Sequence, residues 1–408
     1  MRWGPVGPPL RRLVLVPLAA TLGVRLALAL LLPITPAWDG VLYARLAAHL
    51  AAGDGYVISA PIGPSLPTAF YPVGYPAAVA ALVPITRSVP VAARAVNLLA
   101  AALACLSAVA LGRHLGGPRA GHTAGLGYAL YPGAVLWSAA TMTETLNGAL
   151  LAAACAAALV PRARRNPWLG PVLSAVLTAA ATLVRPQSLL AAPLAGALGG
   201  RGGLRSRALR AAAVTAIALA LVAPWTARNA RAVGGCALVS TNGGSNLLIG
   251  TFPEVRGGYR RPTRRDGCGA EPDEFRRDRC MSALAVQHIR VHPLAWVEGG
   301  LQKLARTFLW EHDPVTYLLR AHPGVGRPVP FGLAVAVCTT TWWALVLLAV
   351  RGARRAGAAA ALPVAVTLAV AATHAVFLGA DRYHLALVPL LVPLAAVGLS
   401  TLWAPRRT

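Results

Sequence analysis

Residues 38–56 read WDGVLYARLAAHLAAGDGY and follow directly on an apolar run at about 13–33. Leu42, Leu46 and Leu50, with Tyr43 and Ala47, recur at helical spacing, and Gly53 and Gly55 supply a stop. This pattern predicts a short amphipathic helix lying along a membrane surface. Asp39 stands at its start, where a carboxylate caps free backbone N–H groups. A carboxylate beside a membrane span costs about 2.5–3.5 kcal/mol if it enters the hydrocarbon, so Asp39 is equally a candidate general base at the membrane face. Spacing alone does not separate the cap from the base.

Outward from this stretch the chain is apolar almost throughout, with 56% hydrophobic and 12% charged residues over 408 positions. Such a composition predicts an all-α polytopic membrane protein. About ten spans are expected, at 13–33, 90–111, 121–139, 144–160, 168–184, 187–200, 209–224, 329–350, 356–378 and 383–403, the sixth weakened by Pro193 and its glycines. Arginines cluster before the first span and after every even one, in segments free of Asp and Glu. By the positive-inside rule both termini are cytoplasmic, and 34–89 and 225–327 are outside. Three parts follow: residues 1–224, an extracytoplasmic region at 225–327 of small mixed structure, and C-terminal spans at 328–408. The first span, long for a signal peptide and without a clear cleavage site, reads as retained. The net charge of +25 lies largely in short inner loops, which suits an anionic membrane leaflet and not a nucleic-acid partner.

The acids are distributed as unevenly as the arginines. Of thirteen Asp and Glu, nine lie in 225–327, and Asp39, Asp54, Glu144 and Asp381 each occupy an outer loop. Residues 59–76, SAPIGPSLPTAFYPVGYP, are too rich in Pro and Gly for a regular element and read as a loop over the mouth of the bundle, carrying Tyr71 and Tyr75. Beyond residue 224 a β-capable run, CALVS, leads into a turn at Asn242-Gly243-Gly244, and an amphipathic pattern at about 281–309 breaks at His292-Pro293. Cys105, Cys155 and Cys338 fall in spans as packing residues. Cys236, Cys268 and Cys280 fall outside, where Cys268 and Cys280, flanking a charged stretch, are the expected disulfide. No Cys-x-x-Cys or paired His suggests a metal site, and Arg25, within the first span, has no partner legible in sequence.

An Asp after the first span, then Y-x3-A-x2-L-x2-G-x-GY at 43–56 and YPVGYP at 71–76, resembles the first outer loop of GT-C glycosyltransferases. The bacterial branch related to protein O-mannosyltransferases and lipid A aminoarabinose transferases is the most similar. TMTETL at 141–146, LVRPQSLL at 183–190, PWTARN at 224–229, STNGGSNLLIG at 240–250 and DRYHLALVPLL at 381–391 continue the resemblance in order. It implies a polyprenyl-phosphate sugar as donor, an inverting displacement with Asp39 as base, and a lipid, protein or cell-wall acceptor. Many members carry a second acid directly after this Asp, where this chain has Gly40, so a divalent metal stays an open question.

The remaining candidates each carry two readings. Glu144 holds the donor sugar or orients an arginine near Asp39, or else caps the fourth span. Arg185 stabilises a departing phosphate or snorkels to the interface. Arg382, with Tyr383 and His384, is a second phosphate site, and Asp381 pairs with an arginine. Tyr71 and Tyr75 contact substrate or belong to the aromatic belt, and Asn242 and Asn246 reach the sugar or shape the turn. The rival to an enzyme is a lipid or sugar transporter or an inactive scaffold of the same fold. A transporter predicts ionisable residues near mid-bilayer, whereas these acids lie at the outer rim.

Overall fold

The structure, a computed structural model, describes residues 8–32, 35–59, 64–159, 168–271, 273–321 and 330–400. α1 (Pro8–Leu31) leads to α2 (Asp39–Ala52), a two-stranded antiparallel ribbon of β1 (Val57–Ile58) and β2 (Leu66–Pro67), and α3 (Gly74–Thr86). The apolar face of α2 is covered by protein and not by lipid: Leu46 packs with Tyr56 and Val73, and Tyr43 with Tyr75 and Val79. α3 is an element the Pro and Gly content concealed. Pro76 falls in its first turn, where a missing N–H costs nothing.

α4 (Val89–Leu130) is two helices meeting at a break over Gly116 and Gly117, followed by α5 (Pro132–Trp137), α6 (Glu144–Leu159) and α7 (Leu169–Val184). After a 3-10 turn come α8 (Ala191–Leu198) and α9 (Leu204–Ala232). The segment between α9 and α14, the outer region of the sequence reading, holds α10 (Gly243–Ile249), α11 (Glu274–Val291), α12 (Pro293–Phe308) and α13 (Asp313–Ala321). α14 (Phe331–Ala356), α15 (Ala361–Val376), a 3-10 segment at Asp381–Leu387 and α16 (Val388–Ser400) complete the described chain.

Five stretches among the described residues are long and apolar enough to cross a membrane: Arg11–Leu31, Val89–Leu130, Leu204–Ala232, Phe331–Val376 and Asp381–Ser400. This is a multi-pass membrane protein. Ten full crossings are not established: α6 and α7 have 16 residues each, roughly 24 Å of helix against a hydrocarbon core of about 30 Å, and the expected span at 187–200 is broken between the 3-10 turn and the short α8.

α16 is buried almost all round, the pattern of a central helix, and packs against α4 and α14. Its seam with α14 is made by glycines: a Cβ on Gly352 would meet Leu394 O at 1.8 Å, and one on Gly398 would meet Leu348 O at 2.1 Å, so only glycine allows this backbone approach. Arg25 is 1% exposed and finds its partners in the last turn of α4, donating to Ala129 O at 3.1 Å and Tyr128 O at 3.2 Å. Those carbonyls are left over where the helix ends before Pro132.

The CALVS run forms no strand. Its carbonyls are taken by α9 side chains: Trp225 Nε1 donates to Val239 O, and Asn229 Nδ2 to Ala237 O and Val239 O. Arg228 from the same helix donates to Thr68 O and Tyr56 O, between α2 and α3. Glu274 completes this clasp, accepting from Ala69 N, Thr68 Oγ1 and Thr241 Oγ1 at 2.6–2.8 Å. Asp278 accepts from Gly244 N at 2.6 Å, and burial pushes its carboxyl up to about 6. Cys268 and Cys280 form the disulfide the sequence suggested.

Candidate active site

Asp39 is the first residue of α2 and does not cap it. Trp38 holds the cap position with φ 50° and ψ −132°, a backbone region costing about 1–3 kcal/mol for a non-glycine residue. Packing determines it: the Trp38 ring stands edge-on to Tyr317 at 5.2 Å and tilted to Trp137 at 6.1 Å, and Ala37 N donates to Tyr317 Oη at 3.1 Å. Freed from capping, the Asp39 carboxylate accepts from Tyr71 Oη at 2.9 Å through Oδ1 and from Arg382 Nη2 at 3.1 Å through Oδ2. Its side chain is 34% exposed, so each oxygen can still be reached. Burial, and then the Asp39 carboxylate, raise the Tyr71 hydroxyl well above the usual phenol range, so Tyr71 stays a donor.

Gly40 explains the absent second acid. A Cβ there would lie 2.6 Å from Thr141 O and 3.1 Å from Tyr317 Oη. The 138–141 backbone is pinned in turn by Asn97 Nδ2, which donates to Ser138 O and Ala140 O. No side chain fits at position 40.

Glu144 is fully buried at the start of α6 and organises two arginines. Arg185 Nη2 donates to its Oε1 at 2.6 Å, Arg382 Nε lies 3.8 Å from the same oxygen, and Trp137 Nε1 donates to Oε2 at 3.1 Å. Arg185 Nε also donates to Thr143 Oγ1. Both guanidinium groups lie against the Tyr383 ring, at 4.9 Å and 5.2 Å, and that ring stacks on His374. The result is a fixed pair of cations beside one carboxylate.

These groups open on a cavity of about 1680 Å³. Asp39, Tyr71, Arg185, Arg382, Tyr383, Asn242 and Asn246 all line it. Glu144 does not line it and acts through the arginines, which leaves the orienting reading and removes direct contact with a sugar. Tyr75 and His384 correct the sequence reading. Tyr75 is fully buried in the core with its hydroxyl on Asn97 Oδ1, and α3 turns it away from the loop. His384 is fully buried, held by Thr307 O and Glu311 and stacked on Trp342 at 3.9 Å. Asp54 stands apart as well, paired with His49 at the exposed end of α2.

The other lining residues were not singled out from sequence. Trp38, Arg256, Tyr259, Arg306, His312 and Asp313 all face the cavity. Asp381 accepts from the backbone N–H groups of His312 and Asp313 and from His312 Nδ1 at 2.6 Å, and so pairs with a histidine and not with an arginine. Its hydrogen bond holds His312 above the usual imidazole range, while burial pushes the Asp313 carboxyl up to about 7. The available signal was the crowding of Glu311, His312 and Asp313 just before Pro314, ahead of an apolar span.

The arrangement of helices is shared with solved membrane glycosyltransferases of GT-C fold at 12–13% identity, a likeness of fold. The oligosaccharyltransferase AglB of Archaeoglobus fulgidus, in complex with an inhibitory peptide and a dolichol-phosphate, is similar with a TM-score of 0.55 at 12% identity over 97% of this chain. The apo form of the A. fulgidus oligosaccharyltransferase gives 0.57 at 13% identity over 95%. In both cases the chain spans 50% of the neighbour's length. ArnT of Cupriavidus metallidurans bound to undecaprenyl phosphate gives 0.43 at 15% identity, over 98% of this chain and 79% of that one. No family model matches the sequence, and no curated protein does.

Proposed function

We propose that the protein is a membrane glycosyltransferase that moves a sugar from a polyprenyl-phosphate donor to an acceptor hydroxyl or amine at the outer face, with both termini cytoplasmic. The observation that carries this reading is one carboxylate, Asp39, sharing a cavity with two oriented guanidinium groups. One neighbour of the same fold has been solved with a dolichol-phosphate and an inhibitory peptide, which supports a lipid-linked donor and keeps a protein acceptor among the candidates.

In this reading Asp39 takes the proton of the acceptor as its oxygen or nitrogen bonds to the anomeric carbon. The bond from that carbon to the phosphate oxygen breaks and its electron pair stays on the phosphate, whose charge grows by one. Arg185 and Arg382, fixed in advance by Glu144, meet that charge without reorganising. Asp39 is one of their counter-ions in the resting protein, so an arriving phosphate competes for Arg382 and loosens its grip on the base. A transporter places its ionisable groups on broken helices at mid-bilayer. Here they meet at helix ends, the starts of α2 and α6 and the end of α7.

The test is transfer of radiolabel from polyprenyl-phosphate sugars by the full chain in lipid nanodiscs, with membrane and cell-wall extracts as acceptors. Label appearing on an extract component is expected. Folded protein that transfers no label from any donor, in any extract, contradicts the reading.

A further inference from the structure

His312, Asp313 and Asp381 bring one imidazole and two carboxylates together on the cavity wall, with ligand atoms within 4.8 Å of one another. His312 Nε2 and Asp313 Oδ1 are 3.9 Å apart. Asp381 is fully buried, and while its Oδ2 takes three donors, its Oδ1 has no hydrogen-bond partner among the described residues. A buried carboxylate oxygen left open costs free energy unless something positive meets it. Two carboxylates this close repel, and Arg382, next to Asp381 in the chain, is turned toward Asp39 and Glu144.

We infer that these three residues form a divalent-cation site of the zinc or manganese class, separate from Asp39. The donor set decides the class: an imidazole nitrogen beside carboxylate oxygens suits zinc or manganese, whereas calcium and magnesium prefer all-oxygen shells. Sequence spacing hides the site, because Asp313 and Asp381 are 68 positions apart. A bound cation would tie the start of α13 to the segment that carries Arg382, and its open positions would face the cavity. It would thereby add positive charge on the side of the cavity where the proposed donor phosphate is held.

The experiment uses the full chain in nanodiscs, freed of any polyhistidine tag and stripped with EDTA. Zinc and manganese are titrated calorimetrically, bound metal is counted after desalting, and magnesium and calcium serve as comparison probes. His312→Gln and Asp313→Asn are the variants, because Asp381 also holds the backbone of α13 and its loss risks unfolding. A thermal melt in EDTA confirms that both variants fold, and His49→Gln tests the surface His49–Asp54 pair as an alternative locus.

The expected result is one equivalent of zinc or manganese on the wild type and on His49→Gln, with binding weaker by more than about 100-fold in the other two variants. No binding by the wild type, preference for magnesium or calcium, or equal binding by folded His312→Gln and Asp313→Asn would overturn the inference. In that case the two carboxylates share a proton instead. The readout is metal content and not sugar transfer, so it stands or falls separately from the proposed activity.

Discussion

Arg185 and Glu144 form a close ion pair, Nη2 to Oε1 at 2.6 Å, between the end of α7 and the start of α6. The glutamate is fully buried and the arginine side chain 15% exposed, so the pair is desolvated on one side and presented to the cavity on the other. Removing one partner of a buried pair costs about 3–5 kcal/mol, whereas an exposed pair contributes under about 1 kcal/mol.

Arg185→Ala should therefore reduce turnover and donor affinity together, with a measurable loss of thermal stability. Arg185→Lys restores the charge but not the fork that serves Glu144 and Thr143 at once, so it should recover stability more than turnover. Initial rates at varied donor concentration, beside a melting curve, separate the two effects. Equal turnover in Arg185→Ala and the wild type would remove Arg185 from the mechanism.

Asp39→Asn should abolish transfer and leave the fold intact. The amide oxygen can still accept from Arg382 while the amide N–H donates to Tyr71 Oη, and α2 loses no cap, because Trp38 holds that position. What disappears is the capacity to take a proton, worth about 10²–10⁴-fold in rate. Turnover within a few fold of wild type would show that the carboxylate only orients Arg382.

Gly40→Asp, which restores the second acid of related enzymes, should lower the melting temperature and yield no activity gain. The new Cβ would press on Thr141 O, next to the Ala140 carbonyl that Asn97 holds, and such overpacking costs about 1–3 kcal/mol or more. Gly40→Ala, with no charge, should be destabilised for the same reason. A stable, more active Gly40→Asp would contradict this steric account.

The outer region should become more stable as pH falls from 7 to 5. Burial raises the Asp278 carboxyl to about 6 in the folded protein, against about 3.9 in an unfolded chain, so the folded state holds the proton more tightly. Its contribution is complete below the unfolded value and is lost as pH rises through about 6. Amide exchange of 240–250 and 274–291 measures it, and Asp278→Asn should flatten the difference. An unchanged profile in that variant would assign the effect to other groups.

Reduction of Cys268–Cys280, or a Cys268→Ser variant, should loosen the arginine-rich stretch before α11 by about 3 kcal/mol at most, as expected for a closure of 12 residues. Limited trypsin digestion reads this directly, since 256–265 carries several cleavage sites. Equal resistance with and without reductant would show that Arg260, bonded to Asp266, holds the segment alone.

Helical periodicity made α2 and the break between α11 and α12 legible, because those faces repeat locally. Asp39, Arg185 and Arg382 were legible because charge beside apolar spans is costly. The direction of a side chain near a helix end was not. Tyr71 and Tyr75 are four residues apart in one motif, yet one reaches the cavity and the other the core. The same holds for Tyr383 and His384, adjacent on one 3-10 segment. Docking against distant elements decides each case: Asn97 takes Tyr75, and Glu311 takes His384. The clasp around Glu274 and the cluster at Asp381 join residues separated by dozens of positions, and no local pattern announces them.

Asp39 and Arg382 are 343 residues apart, one just after the first span and the other just before the last. Spans are threaded in order during synthesis, so the carboxylate reaches the membrane face long before its guanidinium partner exists. Until α16 is in place, the nascent protein has a carboxylate without Arg382, a pair of acids at 313 and 381 not yet joined, and a cavity lacking one wall. On the proposed reading, a chain released early would meet an anionic lipid donor with Arg185 alone. The order of insertion would then decide when the two-cation site first exists.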